Sequence, residues 1–269
     1  MGPSSLEPRH DTRRHLVCRL FGVRLVSDIH ERAGDLGVSI PPGRGRRERI
    51  ARIAEAGLLF IHIPKAAGMS ISQALYGTQV KHLSIRLARR LDGGRLAALP
   101  SFAVLRDPTA RFLSAYRYGL AGGSANNEVA EPYRALYRDF RSIDDALDHV
   151  EGAASPYAVD HIYRPQSWYV SDARGRVAVD RLLTMDDIPD LPKLVPRFPD
   201  RAMPCLNRSP AIEMPLTAQQ RGRLRRLYAV DYVLWEKVLA HAAPPTVEQG
   251  AHIPPFTQFP LPVAARLGI

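Results

Sequence analysis

Two short stretches carry residue types at spacings suited to holding phosphate-like anions. The first is Leu58-Leu-Phe-Ile-His-Ile-Pro-Lys-Ala-Ala-Gly-Met-Ser-Ile71. An apolar run ends at Pro64 and Lys65, small residues follow, and Gly68 and Ser70 open a helix. N–H groups at a helix start bind anions. Small residues let the backbone approach a phosphate closely, and the lysine adds a point charge to a bridging oxygen. The lysine precedes the glycine, so this is not a Walker A loop. On these residues alone, a strand–loop–helix turn with an incidental lysine stays open. The second stretch is Phe102-Ala-Val-Leu-Arg-Asp-Pro-Thr-Ala-Arg-Phe-Leu-Ser-Ala-Tyr116. A buried strand ends at Arg106, Asp107 caps the following helix, and Pro108 starts it. Ser114 lies about two turns along, so Arg106 and the Ser114 hydroxyl can hold one phosphate together. Arg111 is either an exposed helical arginine or a partner of Asp107.

The elements that must position these residues alternate between strand and helix signals, the pattern of an α/β layered domain. Strands are expected over Leu58–Ile63, Phe102–Leu105 and Val177–Thr184. Helices are expected over Ser70–Tyr76, Thr109–Tyr118 and Leu216–Ala240, the last with Leu224, Leu227, Tyr228, Val230, Leu234 and Val238 toward the core. Gly119–Asn127 reads as a flexible loop or lid. Residues 1–56 read as a basic N-terminal extension, 57–240 as the domain, and 241–269 as a proline-rich tail.

The chain has 269 residues, of which 45% are hydrophobic and 24% charged. That composition excludes a mainly disordered, collagenous or disulfide-stapled chain. Its net charge of +10 predicts anionic partners. Lys65, Lys81, Lys193 and Lys237 are its only lysines, set in an arginine-rich background that codon bias explains. Cys18 and Cys205 are too few for a disulfide framework, so a reduced, cytoplasmic protein is expected. No apolar run reaches membrane-spanning length; peripheral membrane contact stays open.

Phe-Ile-His-Ile-Pro-Lys-Ala-Ala-Gly-Met-Ser resembles the 5′-phosphosulfate loop of carbohydrate-type sulfotransferases, the type that includes uronyl 2-O- and chondroitin sulfotransferases. These enzymes use 3′-phosphoadenosine 5′-phosphosulfate (PAPS). Their usual loop is Pro-Lys-Thr-Gly-Gly-Thr-Ser; this chain has Ala66, Ala67 and Met69 at the first, second and fourth positions after the lysine. Arg-Asp-Pro-x-x-Arg-x-x-Ser-x-Tyr resembles the 3′-phosphate motif of the same family at every defining position. The resemblance covers residues 57–240. It implies a three-layer, P-loop-like sulfotransferase fold, with a central, mainly parallel sheet flanked by helices. It places the donor on Lys65, Ala66, Ala67, Gly68, Met69, Ser70 and Ile71, with Arg106 and Ser114 on the 3′-phosphate. Asn207, Arg208 and Ser209 match a family segment that closes over the nucleotide.

Sulfuryl transfer to a hydroxyl needs a base, and histidine suits neutral pH. His82 lies ahead of the arginine motif, as the catalytic histidine of the uronyl 2-O-sulfotransferases does. His161 is the rival, in a segment similar to the family's His-x-x-x-Pro-Gln stretch, which makes His161 and Gln166 either acceptor-side or structural residues. His62 reads as a core residue. No histidine–cysteine clustering has metal-ligand spacing, so no metal is expected. In the implied mechanism His82 deprotonates the acceptor and Lys65 stabilises charge on the leaving phosphate oxygen. The implied acceptor is a carbohydrate hydroxyl, on a polysaccharide, oligosaccharide or glycolipid; the positive charge suits an acidic glycan or serves PAPS alone, and no specific nucleic-acid partner is expected. The alternatives are a P-loop-like nucleotide kinase and a non-catalytic, basic polyanion-binding protein.

Overall fold

The computed structural model describes residues 16–124, 127–200 and 214–240. The chain first turns helical over 16–20, then forms a 3-10 turn, Val26–Asp28, that runs into helix α1, Ile29–Asp35; helix α2 is Arg44–Ala56. Strand β1, Leu59–Ile61, leads to α3, Gly68–Tyr76, and α4, Ile85–Arg90. Strand β2, Ser101–Leu105, leads to α5, Pro108–Leu120. A small hairpin follows, β3 at Gly123–Ser124 and β4 at Asn127–Glu128. Next come α6, Tyr133–Arg138, α7, Ile143–Glu151, and α8, Gln166–Val170. Strand β5, Arg181–Thr184, precedes α9, Leu191–Leu194, then α10, Ala218–Leu227, and α11, Ala229–Ala240.

The main sheet is parallel, in the order β1-β2-β5, with Phe60 beside Phe102 and Ala103 beside Leu182. Strands covered on both faces need unbroken apolar runs. Every residue of β1 and β2 is indeed buried. The molecule is therefore an α/β protein, a three-stranded parallel sheet flanked by helices. A second apolar cluster gathers on Phe112, Ala115 and Tyr116 of α5, with Tyr133, Tyr137, Leu147 and Tyr163 around them.

Three sequence expectations change. The third strand is shorter than Val177–Thr184: Val177 bridges Ser171 instead, and Asp180 begins the sheet by accepting the Ser101 N–H and hydroxyl, each at 2.7 Å. The helix expected over Leu216–Ala240 breaks at Tyr228, where φ is −115° and ψ is 30°. There the Tyr228 hydroxyl donates to the Tyr163 carbonyl at 2.7 Å, a buried tether that holds the break. The segment expected as an extension packs onto the domain over its described part, 16–56, through Cys18, Val23, Leu25, Ile50 and Ile53. Those apolar residues are too sparse among arginines to register as periodic. The tail 241–269 lies outside the described residues.

Candidate functional site

The two motif loops leave the C-terminal ends of neighbouring parallel strands, the place where open α/β sheets bind ligands. After β1 the backbone turns sharply, with Lys65 at φ 67° and Ala67 at φ 55°. Neither is glycine, so the loop holds left-handed strain of the kind concentrated at binding sites. Gly68 then opens α3. A Cβ there would fall 1.7 Å from His62 Cδ2, so only glycine admits the His62 ring. Tyr76 ties α3 back to β1, accepting the Phe60 N–H at 2.8 Å and donating to the Leu58 carbonyl at 2.9 Å. Ala66 and Ile71 are buried in the core, so only their backbone can face a ligand. Ser70 is buried at the start of α3.

After β2, Asp107 caps α5 as expected, accepting the Ala110 N–H at 2.7 Å. The Arg106 guanidinium donates to the Lys65 carbonyl at 3.2 Å, which joins the two motifs directly. Ser114 is buried on α5. Arg111 is neither exposed nor paired with Asp107. It is 2% exposed and donates to three carbonyls: Pro64 at 3.0 Å, Ile162 at 3.2 Å and Arg164 at 2.7 Å. The buried face of α5 turns Arg111 inward, where those carbonyls replace its hydration.

Of the two readings of Gln166, the structure favours the structural one. It is fully buried, and its amide binds the Arg106 backbone rather than facing an acceptor. The hairpin end of the loop expected at Gly119–Asn127 lies over the first motif. Lys65 Nζ sits 4.0 Å from the Tyr118 ring centroid, Tyr118 donates to the Asn127 carbonyl at 3.0 Å, and Asn127 Nδ2 reaches Met69 Sδ at 3.4 Å.

The charges acting on Lys65 are all cationic. Burial first, then Arg106, Arg117 and Arg111, pushes Lys65 from 10.5 down to about 8. Burial and Arg117 likewise lower Arg106, with Asp107 opposing them. Cations that destabilise one another in a half-buried cluster are relieved by a bound anion.

Three imidazoles run away from Gly68. His62 donates Nδ1–H to the Val80 carbonyl at 2.9 Å. The His82 ring lies edge-on to His62 at 4.2 Å and gives Nδ1–H to the His62 carbonyl at 3.1 Å. Each carbonyl selects the Nδ1–H tautomer, leaving the lone pair on Nε2. Burial pushes His62 down to about 4. Burial, then the His62 and His161 imidazoles, pushes His82 well below the usual histidine range. His161 packs at right angles to His82, with centroids 5.6 Å apart, and donates Nε2–H to Asp28 Oδ1 at 2.8 Å. Asp28 also binds the buried Arg164. Burial raises the Asp28 carboxyl, but His161 and Arg164 together outweigh it and hold it at about 2. Among the described residues, no His, Cys, Asp or Glu group is arranged to hold a metal ion.

Sequence reasoning missed Asp28, Arg164, Tyr118 and Arg117. Arg117 and Tyr118 follow the second motif and Arg164 lies within the His161–Gln166 stretch; Asp28 lies 133 residues from His161, and no local pattern marks it. Asn207, Arg208 and Ser209 lie outside the described residues. A cavity of about 1100 Å³ between α1, α2 and α4 is lined by Ile50, Leu87, Arg90 and Leu91 among others, but by no residue of either motif. Among the described residues no helix is long and apolar enough to cross a membrane. Comparison with known proteins adds no relative: no family model, no curated protein and no solved structure matches the chain.

Proposed function

We propose that this chain is a sulfotransferase of the P-loop-like fold, moving the sulfuryl group of PAPS to a carbohydrate hydroxyl. The observation that carries this reading is the Arg106–Lys65 contact at 3.2 Å. Two stretches that separately resemble the 5′-phosphosulfate and 3′-phosphate motifs meet at the ends of adjacent parallel strands, in a cluster of cations. One anionic nucleotide carrying phosphate at both ends fits that pairing.

In this reading Lys65, the start of α3 and Ser70 take the 5′-phosphosulfate, and Arg106 and Ser114 take the 3′-phosphate. Asn207, Arg208 and Ser209, which lie outside the described residues, are further candidates for contact with the nucleotide by resemblance alone. His82, neutral at neutral pH with a lone pair on Nε2, accepts the proton of the acceptor hydroxyl. The acceptor oxygen bonds to sulfur as the bond from sulfur to the 5′-phosphate oxygen breaks. Lys65 stabilises the charge left on that oxygen. The products are a sulfate ester and adenosine 3′,5′-bisphosphate. The net positive charge favours an acidic glycan or an anionic glycolipid as acceptor.

Calorimetric titration with adenosine 3′,5′-bisphosphate, ADP and AMP tests the donor site, on the wild type and on Arg106→Ala. The expected result is binding that needs both the 3′-phosphate and Arg106. Equal affinity for ADP would favour a nucleotide kinase, and no nucleotide binding would favour a polyanion-binding protein.

A further inference from the structure

Asp28 and Glu31 sit one helical turn apart where the 3-10 turn Val26–Asp28 enters α1. Both are buried, 1% and 5% exposed. A carboxylate is expensive to bury unless it is paired or richly hydrogen-bonded, so their partners reveal what the fold gains. Asp28 grips the 161–164 segment, accepting from His161 Nε2 and Arg164 Nη1, each at 2.8 Å. Glu31 grips the other histidine-bearing segment. It accepts the Ser84 N–H at 2.6 Å and the Ser84 hydroxyl at 2.8 Å. Ser84 in turn caps α4, two residues after His82. One turn of the N-terminal segment thus holds, from one side, both segments whose imidazole rings meet at 5.6 Å.

We propose that Asp28 and Glu31 are positioning residues for the acceptor-side histidines, Asp28 acting on His161 and Glu31 on His82, so that the N-terminal segment completes the site. The catalytic consequence rests on the sulfotransferase reading; the positioning itself does not. Asp28 has a second effect on the same row. Arg164 opposes a positive charge on His82, and Asp28 neutralises Arg164. Without Asp28, a buried guanidinium would disfavour proton uptake by His82.

The test is imidazole 15N–1H spectroscopy at neutral pH on the bisphosphate-mixed wild type, Asp28→Asn and Glu31→Gln. In the wild type His82 should show one tautomer, with hydrogen on Nδ1, and His161 a protected Nε2–H. Asp28→Asn should average or shift the His161 signals most, and Glu31→Gln those of His82. Either variant keeping both rings as in the wild type would overturn its half of the proposal. If a variant unfolds, Ser84→Ala and Asp28→Glu give the same readouts more mildly, since each keeps a carboxylate in place. Turnover with heparosan and desulfated chondroitin as probe acceptors reads the consequence. A misplaced base should cost kcat about 10²-fold, with the KM for PAPS unchanged. Disordered imidazoles with full kcat would overturn the catalytic role. Absent bisphosphate binding in the wild type would instead strike at the sulfotransferase reading, with the histidine spectra still deciding the positioning.

Discussion

Gln166 holds Arg106 by both of its backbone groups. Its Oε1 accepts the Arg106 N–H at 3.0 Å, and its Nε2 donates to the Arg106 carbonyl at 2.8 Å. Gln166 is itself anchored, since its own N–H donates to Asp231 of α11 at 2.7 Å. A line of hydrogen bonds therefore runs from α11 through Gln166 to Arg106 and on to the Lys65 carbonyl. Gln166→Leu strands two backbone groups in the interior, each worth ~1–3 kcal/mol. The expected outcome is a loss of stability of that order in denaturant titration, together with weakened bisphosphate binding in calorimetry. A variant that keeps wild-type affinity would show that Arg106 does not need this support.

Neighbouring small residues in the first loop should respond in opposite directions. Ala67 sits at φ 55°, so Ala67→Gly relieves left-handed strain worth about 1 kcal/mol. Gly68→Ala drives a methyl into the His62 ring and must displace it. Thermal melts should show Ala67→Gly at or above the wild type and Gly68→Ala well below it. The reverse order would contradict the loop geometry.

Lys65 gives donor binding a pH limit. Its folded value, about 8, lies below the ordinary 10.5, so it loses its proton earlier than a solvated lysine. A bound phosphate favours the charged form. Affinity for adenosine 3′,5′-bisphosphate should be flat below pH 8 and fall by up to about tenfold per pH unit above it. Lys65→Arg stays charged throughout, and its affinity should not fall over the same range.

Buried neutral histidines make the fold acid-sensitive. His62 titrates at about 4 in the folded chain and near 6.5 when unfolded. Above pH 6.5 neither state holds the proton. Between 6.5 and about 4 only the unfolded state takes it up, so stability falls as pH falls. The loss from His62 is on the order of 3 kcal/mol, and His82 and His149 shift in the same direction. Urea titrations across this range should show it. His62→Asn keeps a donor toward the Val80 carbonyl and should flatten the slope by one proton.

The sequence by itself determined the local parts. Continuous apolar runs mark β1 and β2 because both faces of a parallel strand are buried. Asp107 and Pro108 mark the start of α5 through capping chemistry that needs only adjacent residues. The clustering of Lys65, Gly68 and Ser70, and the spacing of Arg106 and Ser114, are legible for the same reason: each lies within one strand–loop–helix unit. What partners a side chain over long separations was decided by tertiary packing alone. Arg111 reads as a surface arginine because a helix pattern does not say which carbonyls wait beneath it. Gln166 stays open between an acceptor-side and a structural role because nothing nearby reveals its grip on Arg106, 60 residues away. Asp28 and Glu31 look like ordinary acids in a basic segment. Only folding brings them to His161 and Ser84, where burial makes each pairing obligatory.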